Sequence, residues 1–240
     1  MIVSNNKNKR IVIAVIDSGI DTKVLDLKHY VIKSTGFRVD IDGYIIEDNE
    51  MKISNEHGTA IALIIKHLCT NIELISINIL NQSLATDGRI LLYALEKALQ
   101  LNPDIIHLSL GTTKWKYSFP LKKIVKQANN NNILIVSSAH NNGLRSYPAY
   151  LNGVIGVKAL NYGIKNKLLF SKNFFYATYT PTDIPGIEQL ANKNHEGTSM
   201  SAAFVTGYIA SLKSQMYCKN NEVVKRYLIE LANNKINLIC

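Results

Sequence analysis

Cysteine is scarce. The chain of 240 residues holds three, Cys69, Cys218 and Cys240. They are widely spaced, odd in number and without the spacing of a metal site, so they read as reduced thiols in a cytosolic protein, with Cys69 a small apolar residue. No run rich in Pro, Gly and Ser marks a linker, and there is no fixed-period repeat or low-complexity tract. The asparagines at 129–132 lie between apolar segments, as a loop does. No apolar run approaches the roughly 18 residues that suggest a bilayer span. No basic-then-apolar leader with a small-residue cleavage site precedes the first strand pattern. The expectation is a cytoplasmic monomer with no membrane partner, organised as one domain over residues 1–240. A hydrophobic content of 47% is enough for one large core.

Acid is also in short supply: 18 Asp and Glu stand against 27 Lys and Arg, a formal charge of +9. That balance raises the question of a nucleic-acid partner. The basic residues read as scattered, without a dense basic helix or the aromatic–basic interleaving of single-strand binders. No nucleic-acid partner is therefore expected. Attraction to acidic peptides and an ordinary solvated lysine surface both remain open.

Apolar segments supply the architecture. Ile11 to Ile16 is an almost unbroken β-branched run, the mark of a strand buried on both faces, and it ends at Asp17-Ser18-Gly19. Residues 34–56 are mixed and polar, with Gly43 marking a hairpin or irregular loop. A helix is expected from His57-Gly58-Thr59 to about Leu68, then a strand over Glu73–Leu80. Another helix runs from about Arg89 to Leu101 and is stopped by Asn102-Pro103. Strands are expected at Asp104–Leu110, Ile133–Ala139 and Val154–Ala159, with a helix over 120–131 between the first two. Residues 161–194 read as short strands and loops. A helix from Ser199 to about Lys213 and a terminal one over Glu222–Leu231 complete the pattern. Strands alternating with helices imply βαβ units and a mostly parallel sheet.

Open parallel sheets carry their sites beyond the carboxyl ends of the strands. Asp17, Ser109 and Asn141 sit at such ends, and His57 and Ser199 at helix starts that face the same way. A serine hydroxyl is a weak nucleophile without a base, usually histidine, and that base needs a carboxylate to hold its tautomer. Singly, each residue has a plainer role: Ser199 as a helix cap, Asp17 as a turn former, His57 as a residue at a helix start. Of the six histidines, His29, His67 and His107 lie inside elements with no evident task. Asp-Ser-Gly-Ile after a buried strand, His-Gly-Thr opening a helix and Gly-Thr-Ser-Met opening a late helix, in that order, make a joint pattern hard to ascribe to chance.

These motifs, with Ser109-Leu110-Gly111 and Ala139-His140-Asn141-Asn142-Gly143, resemble the subtilisin family of serine peptidases; the Asp…His…Ser order is the one known for that family. The resemblance runs from residue 11 to about 215. It implies a three-layer α/β fold, with a mostly parallel central sheet and helices on both faces. It implies a serine endopeptidase with Ser199 as nucleophile, His57 as general base and then acid, Asp17 as orienting carboxylate and Asn141 as oxyanion-hole donor. Ser109, Leu110 and Gly111 match the strand that pairs with substrate. Ser138, Ala139 and His140 match the facing wall of the first specificity pocket, and Ser146 its floor. His140 stands where the family usually has glycine, and Ala203 where it has proline. Glu196 falls near the leaving-group side or is a favourable charge at a helix start. The link between the His57 helix and the next strand is too short for the calcium loop many relatives carry. Although Asp26 matches one ligand, no metal and no cofactor are expected.

With no long amino-terminal segment, the chain resembles compact intracellular subtilases that remove leaders from ribosomally made peptides such as lanthipeptides. Such leaders are often acidic, so the implied partner is a peptide or protein substrate, an acidic leader among the candidates. The alternatives are a degenerate subtilase that binds peptides or scaffolds a partner, and transpeptidation or macrocyclisation on the same acyl-enzyme.

Overall fold

The computed structural model describes residues 9–49, 52–160, 168–178, 180–181, 183–191, 195–216 and 220–233. Cys218, Cys240 and part of the 161–194 stretch lie outside the described residues. In chain order the elements are β1 (Ile11–Asp17), β2 (Val31–Val39), β3 (Ile45–Glu47), α1 (His57–Leu68), β4 (Ile72–Asn78), α2 (Gly88–Gln100), β5 (Ile105–Leu108), α3 (Ser118–Asn130), β6 (Leu134–Ser138), β7 (Val154–Ala159), β8 (Leu169–Ser171), β9 (Phe174–Ala177), α4 (Thr198–Met216) and α5 (Asn221–Ala232).

The described strands form one sheet in the order β3-β2-β4-β1-β5-β6-β7-β9-β8. Pairing is parallel throughout, save for β3 on β2 and β8 on β9 at the two edges. The two-residue period of a strand sorts the core into two layers. Ile13 and Val15 of β1 join the cluster built on α1, α4 and α5. Ala14 and Ile16 join the one built on α2 and α3. This is the expected three-layer, mostly parallel architecture. α1 and α4 are buried over most of their surface, as helices sandwiched between a sheet and other helices must be.

β2 departs from the expectation of a merely polar, irregular region. It is a nine-residue strand parallel to β4. Its first half is exposed at Ile32, Lys33 and Ser34, and only Thr35, Gly36 and Phe37 are buried. An edge-proximal strand of that kind lacks the alternation a sequence pattern needs. Gly43 does make the hairpin turn, at φ +86°, with its N–H donating to the Asp40 carbonyl. β8 and β9 supply the short strands expected within 161–194.

From β4 the chain crosses to the other side of β1 to lay down β5. The carboxyl ends of β1 and β5 therefore flank the switch in strand order, where open α/β sheets hold their sites. Facing them are the first turns of α1 and α4; farther along, the two helices pack closely enough that a Cβ on Gly207, midway along α4, would lie 2.7 Å from the Cβ of Leu68, the last residue of α1. Gly207→Ala is therefore expected to force the two helices apart and cost about 1–3 kcal/mol, as overpacking does, read as a lowered thermal midpoint.

Candidate active site

Asp17 ends β1 on the side facing α1 and α4, and it is 1% exposed. A buried carboxylate needs partners, and the local sequence provides them. The Ser18 N–H donates to Asp17 Oδ1 at 2.7 Å. His57 Nδ1 lies 2.9 Å from Oδ1 and 3.0 Å from Oδ2. The register Ile16↔Leu108, continued one residue, sets Ser109 beside Asp17, and the Ser109 hydroxyl donates to Asp17 Oδ2.

His57 opens α1, and its approach depends on two further residues. Asn55 Oδ1 accepts the His57 N–H at 2.9 Å. The Ser18 hydroxyl donates to the Asn55 carbonyl and accepts the Gly58 N–H. Gly58 allows the contact: a Cβ there would stand 2.3 Å from the Gly19 carbonyl oxygen. The Thr59 hydroxyl accepts the Asp21 N–H and pins the loop after β1 to α1.

Ser199 is the second residue of α4, so its N–H is among the first four, which have no intrahelical acceptor. Its hydroxyl donates to the Ser109 carbonyl at 2.9 Å. Ser109 thus touches both ends of the constellation, the carboxylate through its side chain and the serine through its backbone. The Ser199 hydroxyl makes this bond rather than one to His57. Asn141 is placed by the residue before the serine: its Oδ1 accepts from the Thr198 N–H at 3.0 Å and the Thr198 hydroxyl at 2.8 Å. With the oxygen so occupied, the amide N–H groups of Asn141 have no acceptor among the described residues and remain as donors.

The expected substrate-binding residues divide into two groups. Ser109 and Gly111 present backbone to the cleft, whereas Leu110 turns partly into the α2–α3 core. Thr112 pairs with Tyr147, and Ser146 sits between the two walls: its hydroxyl accepts the His140 N–H at 3.1 Å, and its Cβ would lie 3.8 Å from a Cβ on Gly111. Ser138 and Ala139 are buried, Ala139 against Ala149 and Phe174, so any pocket wall they form is a backbone one. His140 is half-buried, and its Nδ1 accepts the Asn142 N–H at 3.1 Å. Together with Asn141, Gly143, Lys158, Tyr176, Glu196 and Thr198 it lines a cleft of about 430 Å³. Glu196 is exposed on its rim, and Ala203 is wholly buried in α4. Among the described residues no group of three His, Cys, Asp or Glu could hold a metal ion.

Burial opposes charge at both partners of the Asp17–His57 pair, and their mutual attraction wins. It would raise the Asp17 carboxyl, but the His57 charge, the His57 hydrogen bond and the Ser18 N–H together hold it below its ordinary value. It would lower His57, but Asp17 raises that ring above 6.5. An ionised Asp17 only accepts, so His57 Nδ1 carries the proton and Nε2 keeps its lone pair.

Sequence reasoning gave Ser109 only a substrate role and found no task for His107. His107 lies two residues before Ser109 on the same strand face, is fully buried, and bonds Thr206 of α4 through Nδ1 at 2.8 Å. Burial, with the His57 charge acting in the same direction, pushes it down to about 4 against the pull of Asp17. A histidine at i−2 of a site serine on a buried strand was the available signal.

The geometry can now be set beside known proteins. The sequence pattern of the subtilase family matches residues 8–239. The chain belongs to the subtilase family. It is 29% identical over 229 residues to the major intracellular serine protease of Bacillus subtilis (strain 168), covering 87% of this chain and 70% of that protein. Two further curated relatives are longer, and this chain spans 53% and 57% of their lengths. Among solved structures, Sphericase superposes with a TM-score of 0.69 at 20% identity, over 93% of this chain and 83% of that one. A lanthipeptide protease superposes at 0.63 and 18%, over 90% and 78%. The subtilase is a subtilisin-like serine protease, a hydrolase acting on peptide or protein substrates.

Two pH effects follow, in separate windows. A histidine can take a proton only when neutral, and the folded value of His57 lies above 6.5. The acid limb of kcat/KM should therefore have its midpoint above 6.5 and move down in Asp17→Asn, measured on a peptide ester. His107 acts on stability: the unfolded chain takes up its proton near 6.5, the folded one only near 4, so stability is lost as pH falls between those values, by about 3 kcal/mol. The stabilisation from raising His57 is present below 6.5 and lost above it; that from lowering Asp17 is lost only below 3.8. Urea denaturation at pH 6.5 and 4 should show the loss, and His107→Asn should reduce it.

Proposed function

We propose that this subtilase is a cytoplasmic processing endopeptidase that removes a leader from a ribosomally made peptide, with Ser199, His57, Asp17 and Asn141 in the roles of nucleophile, general base and acid, orienting carboxylate and oxyanion donor. The observation that carries the catalytic part is the hydrogen-bonded path from Ser199 through Ser109 to Asp17 and His57, with Asn141 held alongside by Thr198. A substrate strand added along Ser109–Gly111 offers an N–H to the Ser109 carbonyl and so competes with the Ser199 hydroxyl for it. The hydroxyl then turns to His57 Nε2, in line with catalytic hydrogen bonds that tighten only in the complex. Ser199 Oγ attacks the scissile carbonyl as its proton passes to His57. Asn141 and the Ser199 N–H hold the oxyanion, and the imidazolium rests against Asp17. The proton goes to the leaving amine, and water, deprotonated by His57, hydrolyses the acyl-enzyme.

Support for leader removal is of a different kind. The lanthipeptide protease shares the fold, the Bacillus relative is named for an intracellular place, and a charge of +9 favours an acidic substrate. Among the described residues no helix is long and apolar enough to cross a membrane.

Ser199→Ala should abolish acyl-enzyme formation and cut peptide hydrolysis to the small residual rate that binding and the oxyanion donors sustain, while leaving the thermal midpoint within a few degrees. Asn141→Ala should lower kcat by about 10²–10³ with little change in KM, the cost measured for the equivalent donor within this same family. Peptide binding without turnover by the wild type would support the degenerate-subtilase reading instead. Sequencing the cut sites in a pool of leader-bearing precursor peptides tests the processing role: one dominant cut at the leader boundary is expected, and indiscriminate cutting overturns it.

A further inference from the structure

The basic residues are less scattered than a whole-chain count suggests. From Ile105 to Thr182 the sequence has no Asp or Glu and ten Lys or Arg. The rest of the chain holds 17 basic and 18 acidic residues, so the entire excess of +9 belongs to this stretch. Within it, Lys114-Trp115-Lys116-Tyr117-Ser118-Phe119 does interleave cations with aromatic rings, directly after the substrate-strand residues Ser109–Gly111. Trp115 is 78% exposed and Phe119 66%, unusually open for rings of that size. Lys116, Lys122, Lys123 and Lys126 are all exposed around them, and Lys123 Nζ lies 5.0 Å over the Phe119 ring. Lys114 is offset by Asp87, whose carboxyl its charge helps to lower.

The strip continues the substrate cleft. β5 pairs with β1 only through Leu108, so the edge of 109–111 on that side is unpaired. Thr112 gives both its backbone groups to Tyr147 on the other side. Backbone groups alternate sides along an extended chain, so those of Gly111 and Ser109 face the opening. The Ser109 carbonyl indeed points there, to Ser199. A substrate adding antiparallel, the more stable pairing, runs its residues before the scissile bond past Gly111. Four residue steps, at most about 14 Å of chain, then separate Gly111 from Trp115.

We propose that Trp115, Phe119 and the surrounding lysines form a docking strip for the part of a peptide substrate several residues before the scissile bond, and that this part carries acidic side chains interspersed with an apolar one. The inference rests on the protease reading above and deepens it: the acyl-side segment is held through its charge and one apolar anchor as well as through its backbone. The occupant is a peptide rather than a nucleic acid because the strip prolongs the edge that receives the substrate backbone.

The test uses a short peptide that the wild-type enzyme cuts, chosen from a random library. It is made bare, with an eight-residue amino-terminal extension rich in Glu and containing Leu, with the same extension in which Lys replaces Glu, and with the Glu extension at the carboxyl end. The amino-terminal Glu extension should raise kcat/KM about tenfold at low salt, an advantage that shrinks as salt screens it. The Lys and carboxyl-terminal versions should not. The double variant Trp115→Ala/Phe119→Ala, and separately Lys116→Glu/Lys123→Glu, should lose the advantage while cutting the bare peptide as the wild type does. Trp115 is the sole tryptophan, so its fluorescence in the Ser199→Ala protein reports docking without cleavage. A shift with the Glu-extended peptide and none with the bare one is expected. Equal kcat/KM for bare and extended peptides, an advantage that survives in the double variants, or a fluorescence response to oligo(U) but not to the peptide would each overturn the strip. Failure to cut any library peptide would instead count against the protease reading.

Discussion

A carboxylate placed where water cannot reach it is the constraint from which the site follows. Asp17 closes β1, an interior strand of the sheet, at 1% exposure, and an ionised group there is costly unless donors surround it. They come from three places: the next residue in the chain, the neighbouring strand and the first residue of α1. Satisfying the charge therefore fixes the position of Ser109 and His57, and with them the distance between β5 and the start of α1. Ser109 then passes the constraint on through its carbonyl to Ser199. The demand for hydrogen-bond partners around one acid is enough to bring together segments far apart in the chain.

How much of this is legible in a sequence depends on the range of the signal. The β-branched run ending in Asp17, the apolar helix after His57 and the buried helix after Ser199 are local patterns, and the structure places their ends within three residues of expectation. β2 was lost because half of it faces solvent, leaving no period to detect. The residues of the proposed triad are readable because three motifs occur together and resemble those of a family. Their supports are not. Ser18 and Asn55 act on Gly58 and His57 through loop geometry, Thr198 acts on Asn141 57 residues away, and His107 meets Thr206 across 99 residues. None of these pairs has a spacing that a single sequence can reveal.

The division of charge gives the molecule a second organising feature. The half of the sheet before β5 is close to neutral, and the half from β5 onward is basic. The groups proposed as catalytic lie on the boundary, so a substrate crossing the site passes from one field into the other. Subtilases share a fold that serves many substrates, and selectivity has to come from such local differences rather than from the architecture. In this chain the half-buried His140 beside Asn141 and the open aromatics beyond Gly111 are features that can supply such selectivity.

The central claim is that Asp17, His57 and Ser199 act as one unit, and its most direct measurement is a double-mutant comparison of kcat/KM for Ser199→Ala, Asp17→Asn and the two combined. Residues of one catalytic unit are strongly non-additive. The account predicts that the combined variant is no slower than Ser199→Ala alone, since without the hydroxyl there is no proton for a correctly held imidazole to take. Losses that add independently, with the double variant slower than either by the product of the single effects, would contradict it.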